Sequence, residues 1–438
     1  MGKIVVVGGG WAGVSAAIGA KKQGHEVVLI EKTDLLLGLG NVGGIMRNNG
    51  RFTASEENIA LGASELFEIT DRLSVHKNVD FPGHKHAGFY DVNRIEVEVG
   101  RLVRDRGIDV RFMTRAIDVV MEGETLKAIK TADGKNIEGD VFVEATGSTG
   151  PMGNCMKYGN GCSMCILRCP SFGPRVSLTE MAGLDDLSAM REDGMKGAFS
   201  GSCKIDKHTL SKKLQKKLDK EGFVIVPLPE KLINREKLGK KVCQQYALNE
   251  FAENIILIDT GCAKLMTSYF NLEDLRSVPG FEEARYIDPY AGGKGNSIRY
   301  MSVGLRDEYM RARGLDNLFL AGEKSGFFVG HTEAITTGAL AGYNAAKMAE
   351  AGCSMPKCAE KPEDGYAQLL SLPDTLATGR ILSYANETLK QEDCLKRRFT
   401  FAGGEFFEHM KTRGLYTTDI KEIRKKVENA GLMNVYNS

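Results

Sequence analysis

No stretch of this 438-residue chain is apolar over the roughly 20 residues that a membrane-spanning helix needs. The amino terminus lacks a charged leader, an apolar core and a cleavage site; Lys3 to Val7 run straight into glycines. Neither sign of charge dominates: 58 Lys and Arg against 57 Asp and Glu leave +1. No global field therefore draws the protein onto nucleic acid or anionic lipid. Internal repeats and low-complexity tracts are also missing. What is left is an ordinary globular composition, 42% hydrophobic and 26% charged. The expectation is a cytoplasmic protein with no membrane partner, long enough for two or three domains. Ten cysteines in a reducing compartment suggest metal or redox work rather than a disulfide scaffold.

Charge is concentrated locally. Lys207 to Lys220 and Lys231 to Lys241 carry most of the clustered lysine. A solvated helix face explains such runs, and an RNA-binding face is the alternative.

The richest stretch is the first. Ile4 to Val7 form a continuous apolar strand, as a parallel strand covered on both faces requires. Gly8, Gly10 and Gly13 then supply G-x-G-x-x-G at a strand-to-helix turn. Gly8 permits the tight turn, Gly10 lets a pyrophosphate approach the backbone, and Gly13 lets the helix pack close. Gly24 stops the helix, and "HEVVLIEK" is a second strand ending at Glu31 and Lys32. Glu31 is placed to accept ribose hydroxyls, and both residues are assigned to the cofactor.

Three later features favour FAD over NAD. Gly43 and Gly44 follow the second strand, as in flavoproteins where a glycine pair supports the cofactor. "GDVFVEATGSTG" reads as a strand ending at Ala145, Thr146 and Gly147. "NLFLAGEKSGFFVGHTEAITTGALAGYNAA" pairs an apolar strand with a Gly322-Glu323 turn and a helix rich in small residues. Glu323 is assigned to the ribitol. The helix start, near Thr332 and Ala334, can aim amide N–H groups at the flavin's electron-rich edge.

These segments resemble the FAD-dependent oxidoreductases of the glutathione-reductase type. The closer likeness is to the branch holding glucose-inhibited division protein A and the folate-dependent tRNA uridine methyltransferase flavoproteins. Ala321, Gly322, Gly326, Gly330, Glu333, Ala334, Gly338, Ala341, Gly342, Asn344, Ala345 and Ala346 fit the closing motif of that branch. The resemblance lies in the FAD-binding parts, roughly half the chain, and implies FAD more strongly than any one reaction. This sequence departs from those families in two places. No cysteine precedes Cys155, and the segment Gly38 to Met46, where disulfide reductases carry their redox pair, holds glycines. No second strand-glycine-helix unit is visible, so an NAD(P)H domain is not expected.

Soon after the Ala-Thr-Gly strand comes C-x6-C-x2-C-x3-C-P, made of Cys155, Cys162, Cys165 and Cys169 with Pro170. The last three cysteines and Pro170 match the C-x2-C-x3-C-P end of ferredoxin loops, and four thiolates can hold a [4Fe–4S] cluster passing electrons to or from flavin. Cys162 and Cys165 alone make a C-x-x-C dithiol that exchanges electrons with flavin. Structural zinc and inert thiols are further readings. Arg168 and Arg175 flank the loop and suit an anionic substrate. The other six cysteines, Cys203 first among them as a possible exception, read as core or surface thiols.

His331 and Glu333 fall in the turn expected beside the flavin, as acid/base candidates. His84 and His86 read as an exposed loop, with metal ligation the alternative. The expected class is α/β: a Rossmann-type FAD-binding domain with a parallel sheet and β-meander (1–150 and 304–351), an inserted α+β substrate domain (151–303) and a linker with a helical region (352–438). The leading expectation is an FAD-dependent oxidoreductase with a cysteine-bound cluster, serving a small molecule or a redox carrier such as ferredoxin. The rivals are a flavin/dithiol reductase, a tRNA-modifying flavoprotein and a redox sensor without turnover. Oligomeric state is open, a homodimer among the options.

Overall fold

The structure is a computed structural model that describes residues 1–147, 172–196, 198–199, 203–239, 241, 243–266, 270–287, 298–299, 301–352 and 369–438. Its centre is a five-stranded sheet in the order Leu318–Leu320, Val141–Glu144, Lys3–Val7, Glu26–Ile30, Asp109–Arg111. All its pairings are parallel. Ile4, Val5 and Val6 are wholly buried, which is why the strand is apolar at every position rather than at alternate ones.

One face of this sheet is covered by two helices, Trp11–Lys22 and His331–Glu350, packed backbone to backbone. A Cβ on Gly338 would strike the carbonyl oxygen of Ala12, and one on Gly342 that of Ala16. Ser15 Oγ donates to Ile335 O across the contact at 2.9 Å. The small residues of the closing motif are what allow this approach. The other face carries the antiparallel meander Ala116–Glu122, Thr125–Thr131 and Asn136–Glu138. This meander, the parallel sheet and the helical carboxyl-terminal region agree with the class expected.

The chain from 50 to 73 forms two helices, Gly50–Leu61 and Glu65–Arg72. Gly62, at φ +101°, ends the first helix. His84 corrects an expectation. It starts the strand His84–Tyr90, paired with Ser74–Phe81, and is 1% exposed rather than on a loop. Phe81, Ala87 and Phe89 need a covered face, and Ile256 and Ile258 of the inserted region provide it.

That inserted region contains a four-stranded antiparallel sheet: Cys203–Ile205, Ala263–Leu265, Asn254–Asp259 and Phe223–Pro227. Its two faces separate by strand alternation. Cys203, Ile205, Leu257 and Leu265 pack under Leu214 and Leu218 of the basic helix Lys212–Glu221. The opposite face, with Ile256 and Ile258, turns toward the nucleotide-binding part. Three helices close the chain, Ala377–Thr388, Gly404–Thr412 and Ile420–Asn429. Glu57 holds the first of them by accepting from Ala377 N at 2.9 Å and Thr378 N at 2.8 Å. No helix among the described residues is long and apolar enough to cross a membrane.

Candidate flavin site

The glycine turn has the shape its spacing demands. Gly8 sits at φ +104°, and a Cβ there would strike Ala145 O. A Cβ on Gly13 would strike Gly8 O, so the helix can start this close to the strand only with glycine. Gly10 is different: nothing lies within 4 Å of where its Cβ would be. That open side faces the start of a 12-residue helix with no acidic residue in its first turn, a place suited to a pyrophosphate.

Glu31 lies at the end of the second strand. Its Oε2 accepts from Gly9 N at 2.8 Å, and its Oε1 from Thr33 N at 2.8 Å and Thr33 Oγ1 at 2.9 Å. The carboxylate thus shapes the glycine turn while keeping acceptor capacity for a ribose hydroxyl. Lys32 turns elsewhere, donating to Gly173 O at 2.8 Å just beyond the cysteine stretch.

The short helix Gly40–Gly43 and its left-handed cap Gly44 form the next wall. Three aromatic rings gather on it. Trp11 packs over Gly40, and the His331 ring lies where a Cβ on Gly43 would be. Ring centroids are 5.7 Å apart for Trp11 and His331, and 6.1 Å for Trp11 and Tyr90. Tyr90 Oη donates to Gly40 O at 2.7 Å, so its single proton is committed. His331 Nδ1 lies 3.3 Å from the Tyr90 hydroxyl oxygen, which with its proton committed can accept from it. Thr332, wholly buried at the start of the 20-residue helix, has a hydroxyl with no hydrogen-bond partner. Ala334, one turn in, gives its amide to Gly330 O at 3.1 Å.

Glu333 serves a different end. Its Oε1 accepts from Arg51 Nε at 3.2 Å, Thr400 Oγ1 at 2.7 Å and Phe401 N at 2.9 Å. Burial lowers the Arg51 pKa, but the adjacent carboxylate overcomes that and the net shift is upward. These contacts tie the start of the long helix to the carboxyl-terminal segment.

Ala145 and Thr146 lead away from the sheet beside Gly8, and Gly147 stands at φ +78°. Thr146 Oγ1 donates to Glu144 Oε1 at 2.9 Å. Glu144, fully buried, also accepts from Leu178 N at 2.8 Å and Thr179 N at 3.1 Å. Lys324 donates to Ser177 Oγ at 2.7 Å and pairs with Asp186, its ammonium 3.7 Å from Glu144. Gly322, at φ +69°, gives its amide to Thr337 Oγ1 at 2.8 Å; Glu323 follows it, half-buried. One polar network therefore joins the Ala-Thr-Gly strand end to the Gly322 turn.

Sequence reasoning missed the buried cations beside this site. Lys264 of the inserted sheet donates to Gly43 O, and Lys204 to Asn41 O at 3.4 Å. Lys241 donates to Met266 O at 3.0 Å and Tyr246 O at 3.3 Å. Burial pushes Lys264 down to about 7 and Lys241 to about 8. The lysine-rich run that ends at Lys241 was the signal, but it gave no hint that this member turns inward. His84 is also buried between partners, with Nδ1 3.0 Å from Asn48 Nδ2 and Nε2 3.0 Å from Gln245 O, so its nitrogens serve the core.

Cys155, Cys162, Cys165, Cys169 and Arg168 lie outside the described residues. Among the described residues no group of His, Cys, Asp and Glu is arranged to hold a metal ion.

The residues fit an FAD. The open side of Gly10 would take a pyrophosphate and Glu31 an adenosine ribose, and the Gly40–Gly44 wall with the start of the His331 helix would face the far end of the cofactor. The chain is a flavoenzyme of the FAD-dependent oxidoreductase type. A family model for "Glucose inhibited division protein A" matches residues 3–255 and 260–352, and the chain belongs to that family. Two crystal forms of Aquifex aeolicus GidA superpose with TM-scores of 0.61 and 0.62 at 15% identity, over 98% of this chain and 76% and 78% of those chains. The chain is also 25% identical over 154 residues to the FAD-dependent monooxygenase ntnJ of Nectria sp, which is 33% of this chain and 36% of that protein. It therefore spans little more than a third of that curated relative, 36% of its length.

Proposed function

We propose that this flavoenzyme uses FAD for redox chemistry on a nucleoside of tRNA. The observation that carries the reading is the reach of the family match. It runs unbroken from residue 3 to 255, through most of the inserted region, and is not confined to the FAD-binding parts. A likeness in the nucleotide-binding sheet alone speaks for the cofactor; one that includes the region facing the substrate speaks for the substrate as well. The helix Lys212–Glu221 supports it by exposing Lys212, Lys213, Lys216, Lys217 and Lys220 on the outer face of the inserted sheet.

Bound FAD supplies two-electron transfer. His331, whose ring lies against Gly43, is the group that this chain offers to take or hold a proton beside it. The test uses FAD-loaded protein, a chemical reductant and tRNA from cells lacking this gene. A mass change in one nucleoside, with binding that weakens steeply as salt rises, is the expected result. No binding at low salt and no mass change would remove the reading.

A second reading rests on the spacing of Cys155, Cys162, Cys165 and Cys169. It is an electron relay between flavin and a four-thiolate iron–sulfur cluster, fed by a carrier such as ferredoxin, or a dithiol exchange through Cys162 and Cys165. Iron, sulfide and flavin measured on one anaerobically purified sample decide it. About four irons and four sulfides per flavin support the relay, and flavin without iron leaves the dithiol.

A further inference from the structure

The buried face of the inserted sheet does more than cover apolar strands. Lys264 sits in its middle strand at 4% exposure and places its ammonium on the Gly43 carbonyl. The same turn is gripped beside it by Lys204 on Asn41 O and by Thr260, whose methyl lies where a Cβ on Gly44 would be. On the far side of Gly43 is the His331 ring. A cation is thus set one peptide group from the wall that the flavin end of the cofactor is to meet.

No carboxylate among the described residues pairs with Lys264. The groups that face it are Cys243, Lys241, Arg51 and Cys262, and of the cations only Arg51 has a carboxylate partner, Glu333. Burying an ammonium without an anion is costly, and such a site invites negative charge from elsewhere. A flavin gains negative charge when it is reduced and is otherwise neutral in its ring system. The charge missing around Lys264 is the charge that reduction supplies.

We propose that Lys264 is a positioning residue of the flavin site: its amine, held on the Gly43 carbonyl, takes up a proton from solvent as two electrons arrive, and the ammonium so formed stabilises the reduced, anionic cofactor. The electrons come from whichever two-electron donor serves the enzyme; in the test this is dithionite. Burial holds Lys264 at about 7 in the absence of that anion, and an anion nearby raises it, so proton uptake falls near neutrality. The inference rests on FAD binding at this wall and not on tRNA as substrate.

The test is the midpoint potential of the FAD-loaded protein against pH, for wild type, Lys264→Met and Lys264→Arg. Wild type is expected to fall roughly twice as steeply per pH unit near neutrality as at either extreme, because two protons rather than one accompany the two electrons there. Lys264→Met should lose the steep segment and have a more negative potential at pH 6. Lys264→Arg, charged throughout, should also lose it while keeping the higher potential. Equal slopes and potentials in all three would overturn the proposal and leave the tRNA reading standing. Failure of wild type to take up FAD would overturn the proposal through its premise. If Lys264→Met does not fold, wild type against Lys264→Arg decides by the presence or loss of the steep segment.

Discussion

Replacing Glu333 with alanine separates a structural carboxylate from a catalytic one. The side chain is fully buried, and the Arg51 guanidinium beside it is nearly so, at 0% and 4% exposure. Truncation leaves Arg51 in the interior with neutral partners only: Asn48 Oδ1 at 3.2 Å, Val329 O at 2.9 Å and Thr400 Oγ1 at 3.1 Å. It also strips Phe401 N of its acceptor. Breaking one side of a buried ion pair costs about 3–5 kcal/mol. The expected loss in a urea titration is of that size. The double variant Glu333→Leu, Arg51→Met should recover much of it, because the uncompensated charge goes with its partner. A catalytic acid would behave otherwise, losing turnover while stability stayed within about 1 kcal/mol of wild type. That second pattern would refute the account of Glu333 as a tie between the long helix and the carboxyl-terminal segment.

Gly13→Ala places a methyl on the Gly8 carbonyl, a backbone atom that cannot rotate away. FAD binding should weaken roughly 5- to 150-fold by fluorescence titration, since overpacking of about 1–3 kcal/mol falls on the phosphate turn. Glu57 is raised by burial from 4.5 to about 7, so the folded chain binds the extra proton and stability falls as pH rises between those values. His84 is lowered by burial from 6.5 to about 3, so its contribution is present above 6.5 and is lost as pH falls toward 3. The two oppose each other where the windows overlap, and Glu57→Gln should uncover a rise in urea midpoint from pH 5 to 6.5; an unchanged profile would contradict the assignment. Charge reversal of Lys212, Lys216 and Lys220 should lower tRNA affinity and reduce the salt slope by about 3 if each meets one phosphate, while the flavin spectrum stays as in wild type.

What the sequence made legible was local. The glycine turn, the second strand with Glu31, the meander and the small-residue helix are each written within about 30 residues, and each formed as read. The site's charge was not legible, because it is assembled across the chain. Arg51 meets Glu333 at a separation of 282 residues, and Lys264 meets Gly43 at 221. Glu333 read as an acid in the flavin turn, and only the packing of Thr400 and Phe401 against it shows its employment. His84 read as part of an exposed loop, yet the hairpin turns its ring into an apolar layer, stacked on Phe81.

Glu144 has a consequence for how this protein can vary. One carboxylate accepts from Thr146 on the outgoing chain and from Leu178, 34 positions on, as the chain returns. Lys32 holds Gly173 on the same return. The described residues on either side of the intervening stretch are therefore held at Glu144 and Lys32. Lengthening such an excursion costs only about 0.6 kcal/mol per doubling, and its ends need not move. A change of chain length between these two anchored ends is thus expected to leave Glu144 and the glycine turn beside it in place.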